Sequence, residues 1–310
     1  MTIAALLVAL LLPCAAPLLA RRVLHRCSPA FALWTLTSSA LLLAAGTVAA
    51  LGTLTLTGLL KIPAVAALGE LVHPLRVPSA HLMLPLAALA LGLLLLAAFA
   101  LGRAVVRQTT ALRTARSQAA RRPAAGDLCV VESPHPDAYA LPGRPHRIVV
   151  TSAMLRSLGA REREALFAHE RAHNAAGHHY FLAAAELAAH CHPALRPVRD
   201  AIRLAVERAA DEAAATAVGD RRLTARAIAR AALATGSGDA ARPVMTPAAM
   251  TGPVPQRVTA LLAPAPAARR ATYGIAVLLA VCALLSFSAA AGGALSVHDD
   301  IEVAQGEAAH

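Results

Sequence analysis

Four stretches of this chain, residues 1–20, 27–60, 82–102 and 271–297, contain no Asp, Glu, Lys or Arg. A helix needs about 20 apolar residues to cross a bilayer, and inside hydrocarbon it must satisfy its backbone internally. The four stretches therefore read as four transmembrane helices, at 1–20, 30–60, 82–102 and 271–297, and most of the fold has to accommodate them. Composition agrees: 57% of residues are hydrophobic and 15% charged, where soluble domains carry about 25% charged. Disorder is excluded by the same balance. The five cysteines form no CxxC pair, so neither a disulfide framework nor a thiolate metal site is encoded. No basic residue precedes the first apolar run, and Arg21 and Arg22 follow it. It reads as a retained helix rather than a cleaved signal.

The flanking charges set an orientation. Arg21, Arg22 and Arg26 lie between helices one and two, whereas Lys61 and Arg76 share the next connection with Glu70. Arg103, Arg107, Arg113, Arg116, Arg121 and Arg122 follow helix three, Arg269 and Arg270 precede helix four, and residues 298–310 hold no Lys or Arg. By the positive-inside rule both termini are extracytoplasmic, residues 61–81 lie outside, and residues 103–270 form the one sizeable cytoplasmic region, enough for a small domain with its own core beside the lipid bilayer. Net charge is +11, yet of 29 basic residues only Lys61 is a lysine, so part of the arginine content reflects compositional bias. The Arg103–Arg122 run has no accompanying aromatic platform or recognition module. It reads as a juxtamembrane topology signal, and no direct nucleic-acid binding is expected.

Within residues 103–270, DLCVVE (127–132) and RIVVT (147–151) read as strands around the turn-rich SPHPDAYALPGRP, with Pro142-Gly143 as a hairpin turn. Ser152 is the expected cap of a short helix ended by Gly159. Helical patterns follow from Ala160, broken at Pro193 and Gly219, with Asp220 capping the last before the Gly and Pro residues of 236–255. The fold class expected is thus a multi-pass α-helical membrane protein whose cytoplasmic domain is mainly helical, α+β, with a β flap ahead of its central helix.

That central helix carries His169-Glu170-Arg171-Ala172-His173, an HExxH motif. Residues four apart lie one turn apart on one face, so both imidazoles can reach one zinc ion, with Glu170 beside them as the base. Thirty-four residues beyond His173 stand Glu207 and Asp211, again four apart. Catalytic zinc takes three protein ligands and keeps one position open, and two His plus one Glu is a standard set. Glu207 is the candidate third ligand, and Asp211 the carboxylate that orients a zinc-bound His. Zinc is inferred from the donor types, which other divalent ions also accept. The oxyanion donor stays open between Tyr180 and Arg257, and a salt-bridged Arg257 is an equal alternative. His178 and His179 read as helix-end or surface histidines, as do His190 and His192.

FAHERAHNAAGHH followed by ERAADEAA, preceded by AYALPG and RIVVTSAMLRSLGAREREALFAHE, resembles the membrane-embedded zinc peptidases of the BlaR/MecR antirepressor type, and more distantly the HtpX and Ste24 groups. The resemblance implies a zincin-like peptidase domain between helices three and four, one zinc per chain, and third-ligand and supporting roles for Glu207 and Asp211. It also implies a protein substrate, in the antirepressor type a cytoplasmic transcriptional repressor. Only residues 298–310 follow helix four, so the penicillin-binding sensor of that type is not expected. The functions left in view are regulatory endoproteolysis, HtpX-like quality control of membrane proteins, and a zinc-binding transducer that cleaves nothing. Intact Glu170 weighs against the last. Residues 148–150 read equally as plain core β structure and as an edge for pairing an extended peptide.

Overall fold

A computed structural model describes residues 2–68, 80–122, 124–236, 253–264 and 270–304. The chain begins with α1 (Thr2–Leu11), a 3-10 turn (Leu12–Ala15) and α2 (Ala16–Arg26), then α3 (Pro29–Leu59), the short α4 (Pro63–Leu68) and α5 (Ala80–Ala120). A sheet follows: β1 (Ala124–Ala125), β2 (Leu128–Val131), β3 (Ala138–Leu141) and β4 (Arg147–Thr151). Then come α6 (Ser152–Ser157), α7 (Ala160–Ala175), α8 (His178–Cys191), a 3-10 turn (Pro193–Leu195), α9 (Arg196–Val218), α10 (Arg221–Thr235), α11 (Val254–Leu262) and α12 (Arg270–Ala304). Four helical spans among the described residues are long and apolar enough to cross a membrane: Ala4–Arg26, Pro29–Leu59, Leu82–Ala120 and Tyr273–Val303. Expected residues 69–79 and 305–310 lie outside the described residues.

The spans differ from the charge-free stretches in informative ways. The first continues through Arg21 and Arg22 and is interrupted where Pro13 and Pro17 remove backbone donors. The third does not end at Gly102. It runs on through the arginine run to Ala120, a helix of roughly 60 Å at 1.5 Å per residue, about twice the hydrocarbon thickness. Its far end holds the sheet: Arg116 Nε donates to Pro142 O at 2.8 Å and Arg147 donates to Ala119 O.

Strand order is β1-β2-β4-β3, with β2 and β4 parallel and the other pairs antiparallel. The turn-rich segment thus contains a strand of its own, β3, joined to β4 through Pro142 and Gly143. Alternate residues face opposite ways. Cys129, Leu141 and Val149 pack on Ala119 of α5, while Ala138 and Val150 pack with Met154, Leu158, Leu166 and Ala231 from α6, α7 and α10. The cap of α6 is Thr151, one residue before the expected Ser152: its side chain accepts from Met154 N–H, while Ser152 Oγ donates to Glu132 Oε1 at 2.6 Å. Asp220 caps α10 as expected, accepting from Leu223 N–H at 2.9 Å.

Candidate membrane spans share one core with α8 and α9. Leu19, Val23, Leu33, Leu36 and Leu43 of α2 and α3 are buried with Leu182 of α8, Ile202 and Val206 of α9, and Leu279 of α12. Trp34 meets Phe181 edge to face at 4.9 Å, and Arg208 of α9 donates to Leu24 O of α2. The expectation of a small domain with its own separate core therefore needs correction: the largest apolar cluster joins it to the bundle.

Candidate metal centre

In α7 the buried residues are Glu162, Ala165, Leu166, His169, Glu170 and His173. Steps of three and four place them on one stripe of the helix, so the HExxH residues occupy the face that the fold turns inward. Glu162 anchors the start of this helix. Its carboxylate accepts from Gly159 N–H at 3.0 Å and pairs with Arg226 at 3.0 Å and Arg230 at 2.9 Å from α10. Burial opposes its ionisation, but these donors outweigh burial and hold the carboxyl below its ordinary range.

Facing α7, α9 buries Glu207 and Asp211 on consecutive turns. Three donor atoms converge between the two helices. His169 Nε2 and His173 Nε2 are 3.0 Å apart, and Glu207 oxygens lie 3.6 Å from the first and 3.8 Å from the second. Ligands about 2.0–2.2 Å from a tetrahedral zinc are separated by roughly 3.3 Å, so the spacing fits one ion. The His-His-Glu group is wholly buried.

A ring of supporting contacts surrounds these donors. Asp211 Oδ1 lies 3.0 Å from His169 Nδ1, the nitrogen turned away from the convergence point. Burial and the Arg257 charge oppose protonation of His169, but Asp211 and Glu207 outweigh them and raise its pKa to about 9. His173, by contrast, is held well below its ordinary value by burial and by His169 and His178. The first of these pairs is the one anticipated from the ExxxD spacing.

Two contacts were not. His178, read as a helix-end histidine, is buried with its Nδ1 2.8 Å from His173 Nδ1. Gly177 makes this possible: at φ +63° it turns the chain sharply from α7 into α8, a conformation that favours glycine. A metal held at His173 Nε2 would leave the proton on Nδ1, which could then donate to the His178 ring. Arg257 of α11 is completely buried, its Nε and Nη2 donating to Asp211 at 2.9 and 2.6 Å and its Nη1 lying 3.1 Å from Glu207 Oε2. The salt-bridged alternative for Arg257 is therefore what the structure contains. Tyr180, the other oxyanion candidate, is 72% exposed with its ring against His179.

The model of Peptidase family M48 matches residues 103–195, which include the whole HExxH motif. Over this segment the chain is similar to that family of zinc metallopeptidases. The match lies on the HtpX/Ste24 side of the resemblance and stops short of Glu207, Asp211 and Arg257, which the fold supplies to the same centre from α9 and α11. No curated protein and no solved structure matches the chain significantly.

The fold is closed around this centre. Glu170 and Arg257 have no exposed surface, and His169, His173 and Asp211 have 1% each. Of the two readings left open for residues 148–150 the structure has the core one, since the strand is bonded on both sides, to β2 and to β3. It cannot accept another strand, because its ladder groups are already used. The edge strand on that side is β3.

Proposed function

We propose that this protein is a membrane-embedded zinc endopeptidase that cuts a protein on the cytoplasmic side of the bilayer. The observation that carries the reading is the convergence of His169, His173 and Glu207 with Glu170 on the same buried face. In this reading the three converging residues hold the metal and Asp211 fixes the tautomer of His169. Zinc, when bound, supplies Lewis acidity that polarises the scissile carbonyl and makes water more acidic. Glu170 takes the proton of the attacking water and delivers it to the departing amine, the two halves of general acid–base catalysis. Arg257 holds Glu207 and Asp211 in place rather than touching substrate.

The substrate chain lies along β3. Thr151 N–H donates to Asp137 O at 2.9 Å, so the antiparallel alternation turns the backbone groups of Ala138 and Ala140 away from β4. Both residues are buried, and pairing there requires the closed domain to open. The proposed sidedness is that of the flanking arginines, with both termini extracytoplasmic and the segment 103–270 cytoplasmic. Contacts that support it are Arg208 on Leu24, α5 under the sheet, and Phe31 edge to face with Tyr273 at 5.2 Å. They gather the arginine-bearing ends of all four spans beside this segment.

The finer function we propose is regulatory: cleavage of a cytoplasmic transcriptional repressor. The M48 match favours a second reading, quality control of membrane proteins. One digestion distinguishes them and tests the parent proposal. The detergent-purified chain, stripped with a chelator and reloaded with zinc, is given an unfolded membrane protein and a folded repressor-type DNA-binding protein. Zinc-dependent cutting at one site in the folded protein supports regulation, and zinc-dependent cutting at many sites in the unfolded one supports quality control. Zinc-independent cutting of either contradicts both.

A further inference from the structure

A second cavity, of about 500 Å³, lies where the end of α8 meets the membrane helices. Its long walls are hydrocarbon: Leu10 of α1, Leu51 of α3, and Leu93, Leu96 and Ala100 of α5. Its other end is polar, formed by His190, His192, Arg196 and Arg199. None of these residues belongs to the metal centre. The volume falls within the range of small-ligand sites, about 300–1,000 Å³.

The polar end carries unspent positive charge. Arg199 is shared between Glu186 at 3.7 Å and Asp200 at 2.9 Å. Arg196 is exposed and has no carboxylate partner among the described residues. On α5, Arg103 and Arg107 continue the face of Ala100 by one and two turns, both exposed and without a described carboxylate partner. His192 is held in place, its Nδ1 accepting from Ala194 N–H at 3.1 Å. The cavity lies at the junction where the end of α8 and the start of α9 meet α1, α3 and α5. Hydrocarbon walls from three candidate spans beneath a cluster of arginines form an amphiphilic site. Basic pockets between membrane helices on the cytoplasmic side hold anionic lipid head groups.

We propose that this cleft binds one anionic phospholipid, with an acyl chain between α1, α3 and α5 and its phosphate on Arg196, helped by Arg199 and Arg103. The bound lipid steadies the start of α9, the helix that delivers Glu207 three turns later. The site stands apart from the hydrolytic chemistry and is tested without it.

The full chain is purified in detergent, and lipid retention is read by native mass spectrometry after exchange into mixed phosphatidylglycerol and phosphatidylcholine. The wild type should retain one phosphatidylglycerol with about tenfold preference, roughly 1.4 kcal/mol, and its Tm should rise by about 2–4 °C. Arg196→Glu should lose the preference, and Leu96→Trp, which fills the cleft, should lose bound lipid of either kind, both with zinc content unchanged. Equal retention of the two lipids by the wild type overturns the proposal, as does an undiminished preference in Arg196→Glu. A Tm rise given equally by inorganic phosphate assigns the site to a free anion and overturns it too. A cleft found filled by a co-purified peptide instead of lipid does the same.

Discussion

Arg257 concentrates the electrostatics of the centre in one side chain. It is buried against two carboxylates, Glu207 and Asp211, and removing one partner of a buried charge group leaves the other uncompensated, at about 3–5 kcal/mol. Arg257→Met should therefore lower the melting temperature strongly in metal-free protein, and less once zinc replaces part of the lost positive charge; a loss that zinc does not diminish contradicts this role. His178 acts on the opposite side through His173. His178→Phe should weaken zinc binding about 10–100-fold, the usual effect of losing a ligand's orienting partner, measured by competition with a chromogenic chelator. An unchanged affinity removes His178 from the site. The four HExxH and ExxxD residues nearest the convergence point were legible in the sequence because i, i+4 spacing alone puts donors on one face. His178 was not, since its approach depends on the left-handed turn at Gly177. Arg257 reaches the centre from a helix that no spacing rule ties to α7.

At the level of elements, α7 is held at its start by Glu162 and its two α10 arginines. Both arginines are largely exposed, so solvent screening limits the contribution to about 1 kcal/mol. The carboxyl is depressed in the fold, so its stabilisation is present above the unfolded value of 4.5 and disappears as pH falls through the lower folded value. Thermal melts of Glu162→Gln and wild type should differ at pH 7 and converge as pH falls from 4.5 through the lower folded value. A difference that persists at acid pH assigns the effect to packing. The helix itself was readable from the helical pattern that begins at Ala160, but not from its cap, since Gly159 read only as the end of the helix before it. The sheet was readable only in part: RIVVT and LCVV have strand composition, but AYAL is four residues between Pro136 and Pro142, and its neighbours signal turns. Missing β3 left an edge reading open for β4, when it is the centre of the sheet.

At the scale of the whole molecule, the charge-free stretches announced the four spans, but not how far they run or what they pack against. α5 continues beyond the bilayer because arginine is a good helix former, and nothing in residues 103–120 breaks the helix. The common core of α2, α3, α8, α9 and α12 depends on long-range packing that no local pattern encodes. It predicts that residues 103–270 expressed alone fail to give a folded, zinc-holding domain, whereas the full chain in detergent does; a cooperative melt from the isolated segment contradicts the shared core. The central claim is that the buried His-His-Glu group, with Glu170 as base, makes this chain a zinc peptidase. The most direct test measures zinc content and proteolysis together in wild type and Glu170→Gln. About one zinc per chain in both, with cleavage reduced about 10²–10⁴-fold in the variant, is the predicted result. Equal cleavage by the two proteins, or no metal in well-folded wild type, contradicts it.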